Sequence, residues 1–176
     1  MMILNGKKVA VFVADDYEDL EAWYPILRMR EAGAEVTVMA SDDVEGHTCL
    51  SKHGYSIDID IKSAHADPEE YDAAIIPGGW APDKLRRCLN TLGFIKKLSE
   101  EEKVIASICH GGWVLASADV ISGKKLTSTA AIKDDLVNAG AKWIDKEVVV
   151  DNKLITSRGP DDLPAFSKAI IEELKQ

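Results

Sequence analysis

Three short apolar runs constrain most of what this chain can fold into. They are Lys8 to Ala14, Asp72 to Pro77 around Ala73-Ala74-Ile75-Ile76, and Val104 to Ile108. Each has the length of a strand, and each closes on turn chemistry: Asp15-Asp16, Gly78-Gly79, and Cys109-His110-Gly111-Gly112. Nearly continuous apolar runs of this kind suit strands buried on both faces, which is the setting of a parallel sheet covered by helices. The first run is followed by Tyr17 to Ala32, where Leu20, Trp23, Tyr24 and Leu27 fall on one helical face. Pro25 inside that pattern marks a kink or the true helix start, and Gly33 is a stop. Glu35 to Ala40 then reads as a second strand. Strand, helix and strand within about forty residues form a βαβ unit, whose crossover imposes parallel pairing.

The remaining segments extend this plan. Ser41 to Gly54 is polar and reads as loops or a small hairpin. Tyr55 to Ile61 alternates apolar and polar residues, which predicts a half-exposed strand near an edge. Pro82 to Leu98 is helical in pattern, with Leu85, Cys88, Leu89 and Leu92 on one face and Gly93 as its break. Leu126 to Ser128 is a short strand and Ile132 to Asn138 a short helix. Trp143 to Val150 and Lys153 to Thr156 form a hairpin around Asp151-Asn152. Asp161 to Lys175 is a final helix. With no repeat or linker, residues 1–176 are expected to form one α/β domain, a mostly parallel sheet between helix layers.

Charge and cysteine usage remove several function classes. A net charge of -9 argues against nucleic acid and anionic membranes as partners. No apolar run approaches the roughly 20 residues needed to cross a bilayer. Met1 to Lys8 lacks the order of a signal peptide, so the expected location is cytoplasmic. Cys49, Cys88 and Cys109 are irregularly spaced and do not form a disulfide framework. His47, Cys49 and His53 are three potential metal ligands without a fourth, so a polar hairpin is the better reading; no metal or cofactor is expected.

The third apolar run carries the chemistry. A strand delivers Cys109 to a tight turn, and Trp113-Val114-Leu115-Ala116 continues as a helix, the layout of a nucleophile elbow. A cysteine taken alone usually just fills space. His110-Gly111-Gly112 behind it favours a nucleophile, with a thiol acidified by a helix start and an imidazole. Adjacent residues do not easily present their side chains to each other, so a further orienting group is required. Glu18 is either a first-turn carboxylate or a carboxyl bonded to the Cys109 sulfur with a raised pKa. Gly78 and Gly79 form a turn, and the N–H groups of Gly79 and His110 would together make an oxyanion hole. Trp113 is core or a pocket wall. Arg158 is a surface charge or a binder of substrate carboxylate.

Taken together, these segments resemble the PfpI family of intracellular proteases and deglycases, part of the class I glutamine amidotransferase-like superfamily with the Parkinson-associated deglycase. The resemblance runs through Ala14 to Glu21, Lys52 to Ser56, Pro77 to Pro82, Ala106 to Gly111, Thr127 to Thr129, Asp134-Asp135, Asn138 to Ala141, Val148 to Asp151 and Ser157-Arg158. It implies a flavodoxin-like three-layer sandwich with helices on both sheet faces. It implies Cys109 as nucleophile, His110 as its neighbour, Glu18 as the glutamate on the cysteine, and Gly79 as an oxyanion donor. It further implies a homo-oligomer, dimer or hexamer, with the site near a subunit interface. There Asp83 of a neighbouring copy would reach His110 from a position where the family pattern has Glu. Asp16 replaces a usual Gly, adding negative charge at the pocket mouth, and Gly112 a common Pro. The implied substrate is a small carbonyl or a peptide. Glyoxalase or deglycase action on methylglyoxal or its early protein adducts ranks first. Cysteine endopeptidase activity and a non-catalytic redox-sensing or chaperone-like role are the alternatives.

Overall fold

The computed structural model describes residues 3–176. In chain order the elements are β1 (Lys8–Val13), α1 (Asp19–Ala32), β2 (Glu35–Ala40), β3 (Thr48–Leu50), β4 (Ser56–Asp58), β5 (Ile61–Lys62), β6 (Ala73–Ile76), α2 (Ala81–Leu85) and α3 (Leu89–Glu100). They continue as β7 (Val104–Ile108), α4 (Gly112–Ser117), β8 (Lys125–Leu126), α5 (Lys133–Asn138), β9 (Lys142–Trp143), β10 (Val148–Asp151), β11 (Leu154–Ser157) and α6 (Leu163–Leu174).

Seven strands form the central sheet in the order β10-β11-β7-β6-β1-β2-β5. Every pairing is parallel except that of β10 with β11, where the Asp151-to-Leu154 hairpin reverses the chain. The three founding runs sit side by side at the centre: Val11 of β1 pairs with Ile75 of β6, and Ile75 with Ala106 of β7. All residues of β6 and β7 are buried, as continuous apolar runs require. Helices α1 and α6 pack together on one face of the sheet, and α2, α3 and α4 pack in series on the other. This is the expected three-layer α/β sandwich with a flavodoxin-like strand order. Strand order reverses between β1 and β6, and at such a switch point the loops leaving the carboxyl ends part to open a crevice.

Four segments differ from the sequence reading. Tyr55 to Ile61 is two strands rather than one. β4 pairs with β3 in a separate hairpin, while β5 forms the sheet edge beside β2. The break comes where the Asp60 carboxylate accepts the Val38 N–H at 2.7 Å instead of continuing the alternation. The helix expected over Pro82 to Leu98 divides at Arg86–Cys88, not at Gly93. Cys88 therefore leaves the apolar face and donates its thiol to Asp42 at 3.3 Å. The stretch from Trp143 to Val150 is likewise two strands, β9 beside β8 and β10 beside β11.

Helix α1 is the largest correction. The face it buries is Glu21, Ala22, Pro25, Ile26, Met29 and Ala32. Leu20 and Leu27, placed on the core face by their size, are 57% and 58% exposed. A helix lying close on a sheet needs small side chains at the contact, and Ala22, Pro25 and Ala32 provide them. Pro25 lies inside the helix without ending it.

Candidate active site

Three loops converge at the carboxyl ends of β1, β6 and β7. The Tyr17 backbone bridges Gly79 on one side and Ser51 on the other. The Glu18 N–H donates to the Gly78 carbonyl at 3.2 Å, and the Trp80 N–H to the Asp16 carbonyl at 2.8 Å. These bonds clamp the Gly78-Gly79 turn against the start of α1. Gly79 has φ +80, in the left-handed region where only glycine is unstrained. At Gly78 the requirement is space: a Cβ would lie 2.5 Å from a Glu21 carboxyl oxygen and 2.7 Å from the Cβ of Cys109. The backbone is thus threaded between these two side chains.

Cys109 leaves β7 with φ +58, a left-handed conformation on a non-glycine residue. Strain of this kind persists only where the surroundings fix it, and it is the backbone signature of a strand-to-helix elbow. The tight turn Cys109–Gly111 that follows brings the Cys109 Sγ to 3.3 Å from His110 Nδ1. The two adjacent side chains do meet, because the reversed backbone at Cys109 folds the pair back on itself.

The carboxyl beside the thiol is Glu21, not Glu18. Glu18 is the N-cap of α1, and its Oε2 accepts the Glu21 N–H at 2.8 Å. One turn into the helix, Glu21 is fully buried and faces the Cys109 thiol. Its Oε2 accepts the Gly78 N–H at 2.8 Å, while its buried Oε1 accepts no hydrogen bond. Burial, reinforced by the charge of Glu18, pushes the Glu21 carboxyl up to about 7. Burial also pushes the Cys109 thiol up, and the adjacent Glu21 charge adds to this. The backbone N–H groups of His110 and Gly79 act in the opposite direction. These are the two donors expected to face an oxyanion.

The thiol is therefore not acidified in the way the sequence suggested. Burial, with the charge of Lys52, holds His110 below its usual range, which favours the neutral ring. The helix that follows has six residues and begins after a 3₁₀ turn, so its dipole is small. A neutral His110 does not hold the thiolate by charge. Glu21 is the carboxyl that faces the thiol, placed to act on it as a base. Protonated, Glu21 would donate a hydrogen bond to the thiolate rather than repel it.

The remaining expected site residues divide. Trp113 stands edge-on to His110, ring centroids 5.1 Å apart, and its Nε1 donates to Asp135 at 2.8 Å. Arg158 does not reach Cys109. Its Nε and Nη2 bond Asp162 at 2.9 and 3.0 Å, and its Nη1 bonds Asp145 at 2.8 Å. A guanidinium held by two carboxylates has no free fork for a substrate anion, so this one ties the β11 exit loop to α6. Asp83, in the first turn of α2, pairs with Arg87 at 3.1 Å on the surface of the same chain. Asp16 has φ +67, which accounts for glycine being usual there, and its carboxylate pairs with Lys84 at 2.9 Å. Its charge at the pocket mouth is compensated. His53 bonds Asp19 at 2.7 Å, Cys49 is buried in β3, and no group of three or more ligands suited to a metal exists among the described residues.

Comparison with known proteins shows what the chain is similar to. A sequence model of the DJ-1/PfpI family matches residues 7–173. A protein of Thermococcus kodakarensis named a deglycase is 44% identical over 168 residues, covering 96% of this chain and 99% of its own. The Bacillus subtilis protein YraA, named provisionally as a cysteine protease, is 41% identical over 97% of this chain and 99% of its own. Among solved structures, a two-domain Anabaena variabilis protein with DJ-1/ThiJ/PfpI-like and ferritin-like domains superposes with a TM-score of 0.92 at 41% identity. It covers 96% of this chain and 50% of that one. Drosophila melanogaster DJ-1beta superposes with a TM-score of 0.88 at 31% identity over 96% of this chain and 90% of its own.

Proposed function

The chain belongs to the DJ-1/PfpI family, and from that premise we propose that it is a cysteine enzyme acting on 2-oxoaldehydes such as methylglyoxal, or on the early adducts they form with proteins. The observation that carries this reading is the Cys109 elbow at φ +58, its sulfur 3.3 Å from His110 Nδ1, with the Gly78 backbone threaded between it and the buried Glu21 carboxyl. Deglycase-named relatives at 40–44% identity support the same class.

The steps follow from that arrangement. Glu21 takes the thiol proton, and the thiolate adds to the aldehyde carbon. The π electrons move to oxygen, which the Gly79 and His110 N–H groups receive. Protonation of that oxygen by Glu21 gives a hemithioacetal. Transfer of the hydrogen on C1, as a proton, to C2 through Glu21 or His110 gives a thioester of the 2-hydroxy acid. Water then releases the acid and restores the thiol. Carbon is oxidised at C1 and reduced at C2, so no external oxidant or cofactor enters.

Incubated with methylglyoxal, the protein is expected to release lactate steadily, followed by an enzymatic lactate assay. Absence of lactate above the buffer rate from intact protein would sink the reading, and cleavage of a test peptide in the same sample would point to peptidase action.

A homo-oligomer with Asp83 acting on His110 of a neighbouring copy belongs to the same proposal. Leu20, Tyr24 and Leu27 expose an apolar stripe on α1, and large apolar surface commonly marks an interface. The exposed Asp83–Arg87 pair holds Asp83 weakly, since surface pairs contribute little. Asp83→Ala is expected to lower turnover about 10²-fold. Mixing it with Cys109→Ser protein should restore activity if the carboxylate acts across subunits. Mixed samples no more active than Asp83→Ala alone would confine Asp83 to its own chain.

A further inference from the structure

Of the four tryptophans, Trp80 alone is exposed, at 55%, and it is the residue directly after the oxyanion donor Gly79. Its place is fixed. The Trp80 N–H is bonded to the Asp16 carbonyl, and its indole lies 5.5 Å from the His110 ring, tilted by 42°. The imidazole thus sits between two indoles, and the two differ in availability. Trp113 has its Nε1 bonded to Asp135 and its ring covered by the Arg86 guanidinium at 5.6 Å. Trp80 keeps a free aromatic surface.

We propose that the open indole of Trp80 forms the wall of a substituent subsite, and that it selects 2-oxoaldehydes bearing a planar apolar group over those bearing a methyl. This rests on the oxoaldehyde reading above. The indole packs on His110, whose Nδ1 lies 3.3 Å from the Cys109 sulfur, so a substituent of aromatic size on a carbonyl carbon bonded to that sulfur comes within reach of the Trp80 ring. Aromatic groups stack favourably on such a surface. A cationic guest would also stack on an indole, but the charges here disfavour it. Arg86 already lies over the neighbouring indole and Lys84 already pairs with Asp16, so two cations stand beside this ring. A neutral planar substituent is the guest that fits.

The test compares kcat/KM for phenylglyoxal and methylglyoxal in wild type, Trp80→Ala and Trp80→Phe. Wild type is expected to favour phenylglyoxal. Trp80→Ala should lower the phenylglyoxal-to-methylglyoxal ratio about fivefold to tenfold, and Trp80→Phe should retain most of it. A second arm needs no turnover: alkylation of Cys109 by N-benzyl iodoacetamide against iodoacetamide, read by intact mass, should show the same change of ratio. If neither oxoaldehyde is consumed but the alkylation ratio shifts, the oxoaldehyde reading falls and the aromatic subsite stands. An alkylation ratio unchanged in Trp80→Ala overturns the subsite. A parallel fall for both oxoaldehydes overturns it too, since Trp80 would then only support His110. So would a change in sedimentation mass, which would make the indole part of a subunit interface.

Discussion

Cys109→Ser is expected to lower 2-oxoaldehyde turnover by at least about a thousandfold while the protein stays folded. The argument turns on the proton. The buried Glu21 carboxyl faces the Cys109 thiol, and it is raised far enough to exchange a proton near neutral pH. A serine hydroxyl is a much weaker acid, so the same carboxyl cannot generate its anion. The N–H groups of Gly79 and His110 would remain in place and leave only their own residual effect. The other two cysteines provide the contrast. Cys49 is buried in β3 and Cys88 is bonded to Asp42 at the start of α3. Neither lies at the carboxyl ends of β6 and β7. Lactate release, iodoacetamide labelling and a thermal melt on the one variant decide the point. Residual turnover above a tenth of wild type in folded Cys109→Ser would exclude the thiol as nucleophile.

Much of this arrangement was legible in the residues because it depends on local chemistry. The three apolar runs became the central parallel strands, since a strand buried on both faces leaves no choice of residue. The turn at Gly78-Gly79 and the elbow at Cys109 were readable from glycine and from the strand-to-helix change. What escaped depends on which face of α1 meets the sheet. Leu20, Trp23, Tyr24 and Leu27 outweigh Ala22, Pro25 and Ala32 in hydrophobicity, yet the smaller residues form the contact because they permit close approach. Once α1 is turned that way, Glu21 lies on the buried stripe and Glu18 at the cap. A signal was available: Glu21 is four residues before Pro25 and next to Ala22, within the small-residue stripe. For Arg158, read as a surface charge or a carboxylate binder, the ion pairs favour the first. Asp162 is a local partner four residues on, but Asp145 lies thirteen residues back across the β10–β11 hairpin, and only the folded hairpin brings it to the guanidinium.

Glu21→Gln should divide catalysis from stability. The amide is nearly isosteric: its oxygen can still accept the Gly78 N–H, and its NH₂ can donate to the sulfur. It cannot take up a proton, so turnover should fall about 10²- to 10³-fold. The reactivity of Cys109 towards iodoacetamide carries the second sign. In wild type Glu21 loses its proton near pH 7 and can then act as base on the thiol, so labelling should rise through that pH. In Glu21→Gln this step should vanish. Stability should move the opposite way. A carboxyl raised from 4.5 to about 7 on folding binds its proton more tightly in the folded state. Its presence therefore costs nothing well below pH 4.5 and destabilises progressively as pH rises towards 7, by about 3 kcal/mol in all. Glu21→Gln should then be more stable than wild type at pH 8, with the gain shrinking as pH falls towards 4. Urea unfolding at the two pH values measures it. A variant less stable at pH 8 would mean that the ionised carboxylate is held by its surroundings, and the shared-proton account of Cys109 would fail with it.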